Sequence, residues 1–207
     1  MPKQHWRIVL TLVALCLLTV SFQPLVSALP QTVDAQSLIV KTGGVRVRCS
    51  LTVGGSFNAT TDAISGRLHP TQSDPGAYVG EISVELDTLD TGIALRNTHL
   101  GEQYLEVMRG DGFTHATLYN LRLDEALPHD TTRHDTDFSA TVRLHGTERQ
   151  VNGQTTLRWT DRGLEIEAEF ALSISDYGIA PPRYLGIGVR DEVEITVTFT
   201  ATTDDAP

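Results

Sequence analysis

Apolar and polar residues alternate along the last long segment of the chain, residues 163–201. From Leu164 to Ile174 the even-numbered positions are apolar, and most of the odd-numbered ones are glutamate or another polar residue. From Val193 to Phe199 apolar residues again occupy every second position. Because successive side chains of a β-strand point to opposite faces, the pattern predicts two long strands, each with one apolar face.

The same period of two recurs along the preceding chain. It predicts a short first strand at residues 37–40 that ends at Gly43-Gly44, and turns at Asn152-Gly153 and at residues 161–163. Further strands are predicted at residues 45–53, 57–68, 82–86, 113–123, 137–145 and 155–159. Residues 94–108 instead carry apolar side chains at helical spacing and form the one predicted helix.

About eight strands in meander order and a single helix predict an all-β fold. An up-and-down antiparallel barrel of about eight strands leaves no exposed strand edge. A β-sandwich is the alternative that periodicity leaves open. A barrel of this size either is filled by its own side chains or holds one small ligand, and the mostly aliphatic inward faces favour the hollow version.

The N-terminus has the features of a secretory signal. Lys3 and Arg7 precede an apolar run at residues 8–20, and Val26-Ser27-Ala28 resembles a cleavage site. We therefore expect a signal peptide at 1–28, a linker at 29–36, one barrel domain at 37–203 and a tail at 204–207. The protein is predicted to be periplasmic or secreted, and an uncleaved N-terminal anchor is the alternative.

Charge and cysteine content narrow the classes of partner. The chain has 26 acidic and 16 basic residues, and removal of the two basic residues in the signal segment leaves a formal charge of −12. Such a chain would be repelled by nucleic acid and by anionic membrane surfaces. Cys49 is then the sole cysteine, so no intrachain disulfide can form, and its position in the alternation predicts an apolar environment.

Catalytic motifs are missing from the sequence. It contains no nucleophile elbow, phosphate-binding glycine loop, His-Glu-x-x-His motif or cysteine pair. We therefore predict no enzyme activity, no catalytic residue and no cofactor. The loop at residues 128–135 offers His129, Asp130, His134 and Asp135, but their spacing matches no defined metal site, and we interpret the loop as solvated.

Four stretches of the chain resemble the YceI-like family, extracytoplasmic proteins associated with polyisoprenoid binding. They are ISGRL at 64–68, LDTLDTGIALRNTHLGEQYLEV at 86–107, LHGTERQV at 144–151 and SISDYGIAPPRYLGIGVRDEVEITVTF at 173–199. Departures are the segment 109–113, where relatives usually carry a Lys-Tyr-Pro turn, and Gln150, where a proline is usual. The resemblance implies a lipocalin-like antiparallel barrel with one helix packed beside it, whose elongated apolar interior takes a long isoprenoid chain. It also implies that the protein has no catalytic residues of its own.

Our leading hypothesis is an exported carrier of an isoprenoid or similar amphiphilic lipid. Apolar burial would give affinity, and a few polar groups would fix orientation. The predicted lining residues are Val47, Cys49, Leu51, Ile82, Val84, Leu86, Val142, Leu144, Phe170, Leu172, Val193, Ile195, Val197 and Phe199. The predicted head-group contacts are Arg96, Asn97, His99 and Tyr104.

Two alternatives belong to other classes of protein. One is a solid-cored module that binds a protein partner through the acidic stripe of Glu165, Glu167 and Glu169. The other is an enzyme with His99 as base, for which the sequence supplies no paired acid or nucleophile. We expect no stable membrane span, and the sequence leaves a homodimer open.

Overall fold

A computed structural model describes residues 37–127, 132–184 and 186–203, and of Tyr184 the backbone only. The strands are β1 (Leu38–Ser50), β2 (Ser56–Thr61), β3 (Ile64–Pro70), β4 (Ala77–Glu85), β5 (His115–Leu123), β6 (Arg133–Leu144), β7 (Thr147–Thr160), β8 (Gly163–Ser173), β9 (Arg183–Tyr184), β10 (Ile187–Gly188) and β11 (Glu192–Thr203). The helix α1 covers Ala94–His99, and single helical turns cover Leu86–Thr88, Leu100–Tyr104, Val107–Arg109 and Ile174–Tyr177.

Strands β1 to β8 and β11 form one antiparallel sheet, in which the first and last strands pair with each other. β2 and β3 keep the same register against β1, with Val45 opposite Thr61 and Leu38 opposite Leu68. β2 and β3 therefore together form one of the strands of the barrel, which is interrupted at residues 62–63. The result is a closed barrel of eight strands, with β2 and β3 counted as one, which confirms the predicted fold class and excludes the sandwich.

One predicted strand end and one predicted turn were wrong, and in both cases a glycine was misinterpreted. The predicted strands at 37–40 and 45–53 are one strand, β1, which runs through Gly43-Gly44 and ends at Ser50. A β-carbon on Gly43 would lie 2.5 Å from Cβ of Phe199 on β11. Gly43 is therefore required by the close approach of the barrel's first and last strands, and it does not end a strand.

Asn152-Gly153 is likewise no turn, because both residues lie inside β7. Gly153 stands opposite Phe138 on one neighbouring strand and Phe170 on the other. The two rings pack edge to face, with centroids 6.1 Å apart. The missing side chain at Gly153 gives these rings the room to meet. The turn into β7 is instead made by His145 and Gly146, both with positive φ.

The predicted helix over residues 94–108 is shorter and less regular than expected. α1 gives way at Leu100 to a wider π turn, in which the Leu105 amide donates to the Leu100 carbonyl at 2.8 Å. The helical course then stops at Glu106, whose φ of 50° is left-handed. The single turn Val107–Arg109 follows.

A hydrogen-bonded cluster ties the helical segment to the barrel. His145 lies with Nδ1 3.1 Å from the carbonyl oxygen of Tyr177 and with Nε2 2.9 Å from the carboxylate of Glu106. Arg109 donates to the same carboxylate at 2.8 Å and stacks on Phe113. Three separate parts of the chain are joined in this way.

Candidate ligand-binding cavity

The barrel encloses a cavity of about 810 Å³. Its wall is made by the inward side chains of the strands, as the alternating pattern requires, and by one side of the helical segment. The barrel is therefore hollow. A core packed at the usual density of protein interiors would leave few voids larger than a water molecule.

The structure brings almost every predicted site residue to this one cavity. The residues that line it, from β1 onward, are Val47, Cys49, Leu51, Ile82, Val84, Leu86, Arg96, His99, Tyr104, Val142, Leu144, Phe170, Leu172, Val193, Ile195, Val197 and Phe199. Cys49 thus has the apolar surroundings that the sequence predicts for it.

Asn97 is the one predicted contact that does not line the cavity. Its amide nitrogen donates to Asp90 at 2.8 Å, and its oxygen accepts from the backbone amide of Thr91 at 2.9 Å. Asp90 is in turn joined to Thr60 of β2 by two backbone hydrogen bonds of 2.9 Å. The hydrogen bond from Asn97 is the main reason that the pKa of the Asp90 carboxyl lies below its usual range. Asn97 therefore holds the start of the helix against the barrel.

Several lining residues were not predicted. Ala116 and Leu118 on β5, and Leu157 on β7, face the cavity. Their strands were predicted, so extension of the same alternation would have found them. Arg183 and Ile187 also line the cavity, from the β9–β10 hairpin. This hairpin lies in a proline- and glycine-rich stretch whose pattern predicts neither strand nor orientation.

The cavity opens to solvent where lining residues are also exposed. Ile93 and Leu95, next to and within α1, are 49% and 65% exposed, and Ile187 on the hairpin is 45% exposed. All three line the cavity. The mouth therefore lies between α1 and the β9–β10 hairpin, and its rim is apolar.

A cation stands at this mouth. The guanidinium carbon of Arg96 lies 4.1 Å from the ring centroid of Phe57, in cation–π contact. Both residues line the cavity. Arg96 has an electrostatic effect further inside: burial raises the pKa of the Cys49 thiol to about 11, while the positive charge of Arg96 opposes this rise.

The candidate metal loop lies only partly in the described residues, since His129 and Asp130 fall outside them. Asp135 pairs with Arg133 at 3.0 Å, and His134 approaches Glu125 at 4.0 Å. Over the described ranges, no group of three or more His, Cys, Asp or Glu side chains is arranged to hold a metal ion. Within the same residues, no helix has the length and apolar character needed to cross a bilayer.

Comparison with known proteins agrees with this architecture. Residues 32–201 match the YceI-like domain family. A search of curated proteins found no match. Among solved structures, the chain is similar to a polyisoprenoid binding domain from Saccharophagus degradans implicated in plant cell wall breakdown, with a TM-score of 0.60, 17% identity, and coverage of 82% of this chain and 98% of that one.

It is also similar to BcnA of Burkholderia cenocepacia, with a TM-score of 0.58, 12% identity, and coverage of 76% of this chain and 96% of that one. At these identities the two solved structures establish a shared fold. The family match covers most of the chain and includes all four stretches on which the resemblance was recognised. The chain belongs to the YceI-like family.

Proposed function

We propose that this protein is an exported carrier that holds an isoprenoid or a similar long-chain amphiphile inside its barrel. The observation that carries the proposal is the hollow interior of about 810 Å³ with its nearly continuous apolar wall. Sites for small molecules commonly measure about 300–1,000 Å³ and bury most of their ligand. The cavity has the size and the chemistry for a folded or extended hydrocarbon chain.

The energetics favour a lipid over a polar ligand. Each methylene group transferred from water to such a wall contributes about 0.8 kcal/mol, so a long hydrocarbon gains affinity along its whole length. A polar ligand would lose hydrogen bonds to water that the aliphatic wall cannot replace. The polar side chains that line the cavity near its mouth can hold a head group while the tail is buried.

Two further observations support the proposal. One structural neighbour is described as a polyisoprenoid binding domain, and it shares this fold over 98% of its length. The charged start, apolar run and small-residue site of the first 28 residues support export to the periplasm or the medium. The hollow interior also argues against the alternative of a solid-cored interaction module.

The test is organic extraction of protein purified without detergent, followed by mass spectrometry of the extract. We expect about one equivalent of a long-chain lipid. The matched variants are Ala168→Phe and Ala171→Phe on β8: Ala168 lines the cavity, whereas Ala171 is exposed on the outer face. The first should carry much less lipid, because its ring occupies the cavity, and the second should carry as much as the wild type.

Two results would contradict the proposal. One is a wild-type protein that carries no lipid and takes none up from added geranylgeraniol. The other is an equal lipid content in the two variants, since this would place any bound lipid outside the barrel.

A further inference from the structure

The charge of the cavity wall is opposite to the charge of the protein. The whole chain has 26 acidic residues against 16 basic ones. Among the residues that the structure describes, those that line the cavity include two arginines, Arg96 and Arg183, and no aspartate or glutamate. The formally charged side chains that line the cavity in the described residues are therefore all cationic, although the protein as a whole is acidic.

Several arginines on the outer surface pair with carboxylates. Arg48 pairs with Glu194 at 3.2 Å, and Arg162 pairs with Glu165 at 2.9 Å. Within residues 37–127, 132–184 and 186–203, by contrast, neither Arg96 nor Arg183 has a carboxylate within 4.0 Å. Surface carboxylates thus neutralise several of the outer cations, whereas the two arginines at the cavity have no carboxylate partner among the described residues.

The position of Arg96 suits it to meet a ligand. Its guanidinium rests on the Phe57 ring at 4.1 Å, which fixes the side chain without using its N–H donors. Its electrostatic effect reaches the thiol of Cys49 on the barrel wall. A guanidinium that is partly removed from water favours an anionic partner, and its planar fork matches carboxylate and phosphate oxygens.

We infer that the cavity selects amphiphiles with an anionic head group, a phosphate or a carboxylate, which Arg96 binds at the mouth and Arg183 assists. The inference rests on the proposed function, because it names the head group of the same bound lipid. The apolar tail supplies most of the affinity, and the arginines decide which lipids are retained. A neutral alcohol with the same tail binds more weakly, because it leaves both cations unpaired.

The experiment compares ligands that differ only in their heads. Farnesol and farnesyl phosphate share one tail, as do hexadecanol and palmitate, and each is titrated into delipidated protein at low salt by calorimetry. We expect at least one anion to bind about tenfold or more tighter than its alcohol, as one charge-assisted hydrogen bond of about 1.5–3 kcal/mol would produce. The pair that shows the preference identifies phosphate or carboxylate as the head group.

Variants test whether the arginines cause the preference for the anion over the alcohol. Arg96→Gln should remove most of the preference for the anion over the alcohol, because it removes the cation that pairs with the anionic head group. Arg96→Lys should keep only part of it, because the charge remains and the fork is lost. Arg46→Gln is the matched control: it removes the same charge from an exposed position on β1 and should leave the preference unchanged. Arg183→Gln should reduce the preference by a smaller factor.

The outcomes separate the two proposals. If neither alcohol nor anion binds, the proposed carrier function fails. If the alcohols bind as tightly as the anions, or if Arg46→Gln lowers the preference as much as Arg96→Gln, the carrier function survives and the anionic head-group site is refuted.

Discussion

Replacement of Gly153 by alanine should destabilise the barrel, although alanine is normally the better residue in a folded chain. Gly153 lies in the middle of β7 between Phe138 and Phe170. An added β-carbon would collide with the carbonyl oxygen of Glu169 and would lie 2.8 Å both from Cε1 of Phe138 and from Cβ of Phe170. The backbone of a strand that is hydrogen-bonded on both sides cannot move away freely.

The magnitude follows from these contacts. Insertion of one methyl group into a packed site usually costs about 1–3 kcal/mol. For a chain of this size each kcal/mol corresponds to about 2–4 °C in Tm. We therefore expect Gly153→Ala to lower Tm by about 2–12 °C, measured by circular dichroism or calorimetry.

Gly101→Ala is the matched control for this substitution. Gly101 lies in the helical turn after α1, and a β-carbon there would have its nearest neighbour, Cγ2 of Val107, at 3.6 Å, an ordinary contact. The same change at this site should stabilise the fold by about 0.4–1 kcal/mol through the unfolded chain. The reasoning is refuted if Gly153→Ala is as stable as the wild type, or if both variants lose stability equally.

Three further expectations concern the site and its supports. In a Cys16→Ser variant, Cys49 should react with a thiol reagent at pH 8 at least about 100-fold more slowly in the folded than in the unfolded protein. The reason is that burial raises the thiol pKa from 9.0 to about 11, and the thiolate is the reactive form. Equal rates would contradict the placement of Cys49 in the barrel wall. A saturating prenyl ligand at about 100 times its Kd should stabilise the fold by about 2.7 kcal/mol, and a flat Tm over such a titration would speak against binding. The pKa of the Glu106 carboxyl lies below its usual range, chiefly because of Arg109 and with a smaller contribution from His145. This carboxylate therefore stabilises the fold above its unfolded-state pKa, and the contribution disappears as the pH falls through the lower folded value. Glu106→Gln should accordingly lose less stability than the wild type between pH 7 and pH 3, and parallel stability curves would refute the linkage.

The barrel could be predicted from the sequence because its determinants are local. Alternation along a single strand shows which side chains share a face, and long strands of this kind need a closed sheet to avoid exposed edges. For the same reason the wall positions of the cavity could be assigned one by one, from Val47 on β1 to Phe199 on β11.

What could not be predicted depends on residues far away in the chain. Gly153 looks like a turn residue until Phe138 and Phe170 are placed on either side of it. The helix was extended past its true end because nothing near Glu106 signals a stop; the carboxylate is bonded to His145, 39 positions later. Alternation alone does not distinguish a filled barrel from a hollow one, so the hollow interior was favoured only by the mostly aliphatic side chains on the inward faces.

The pairing of β1 with β11 has a consequence for biogenesis. Arg48 and Glu194 meet across this ladder although they are 146 positions apart. Contacts so distant in sequence form late and slowly, because the intervening chain must lose conformational entropy before the strand pairing can stabilise the fold. The barrel therefore cannot close until β11 has been synthesised. A chain truncated before residue 192 would retain one long unpaired edge on β1 and another on β8, and would be an aggregating species. Only a chain that includes β11 can close the cavity.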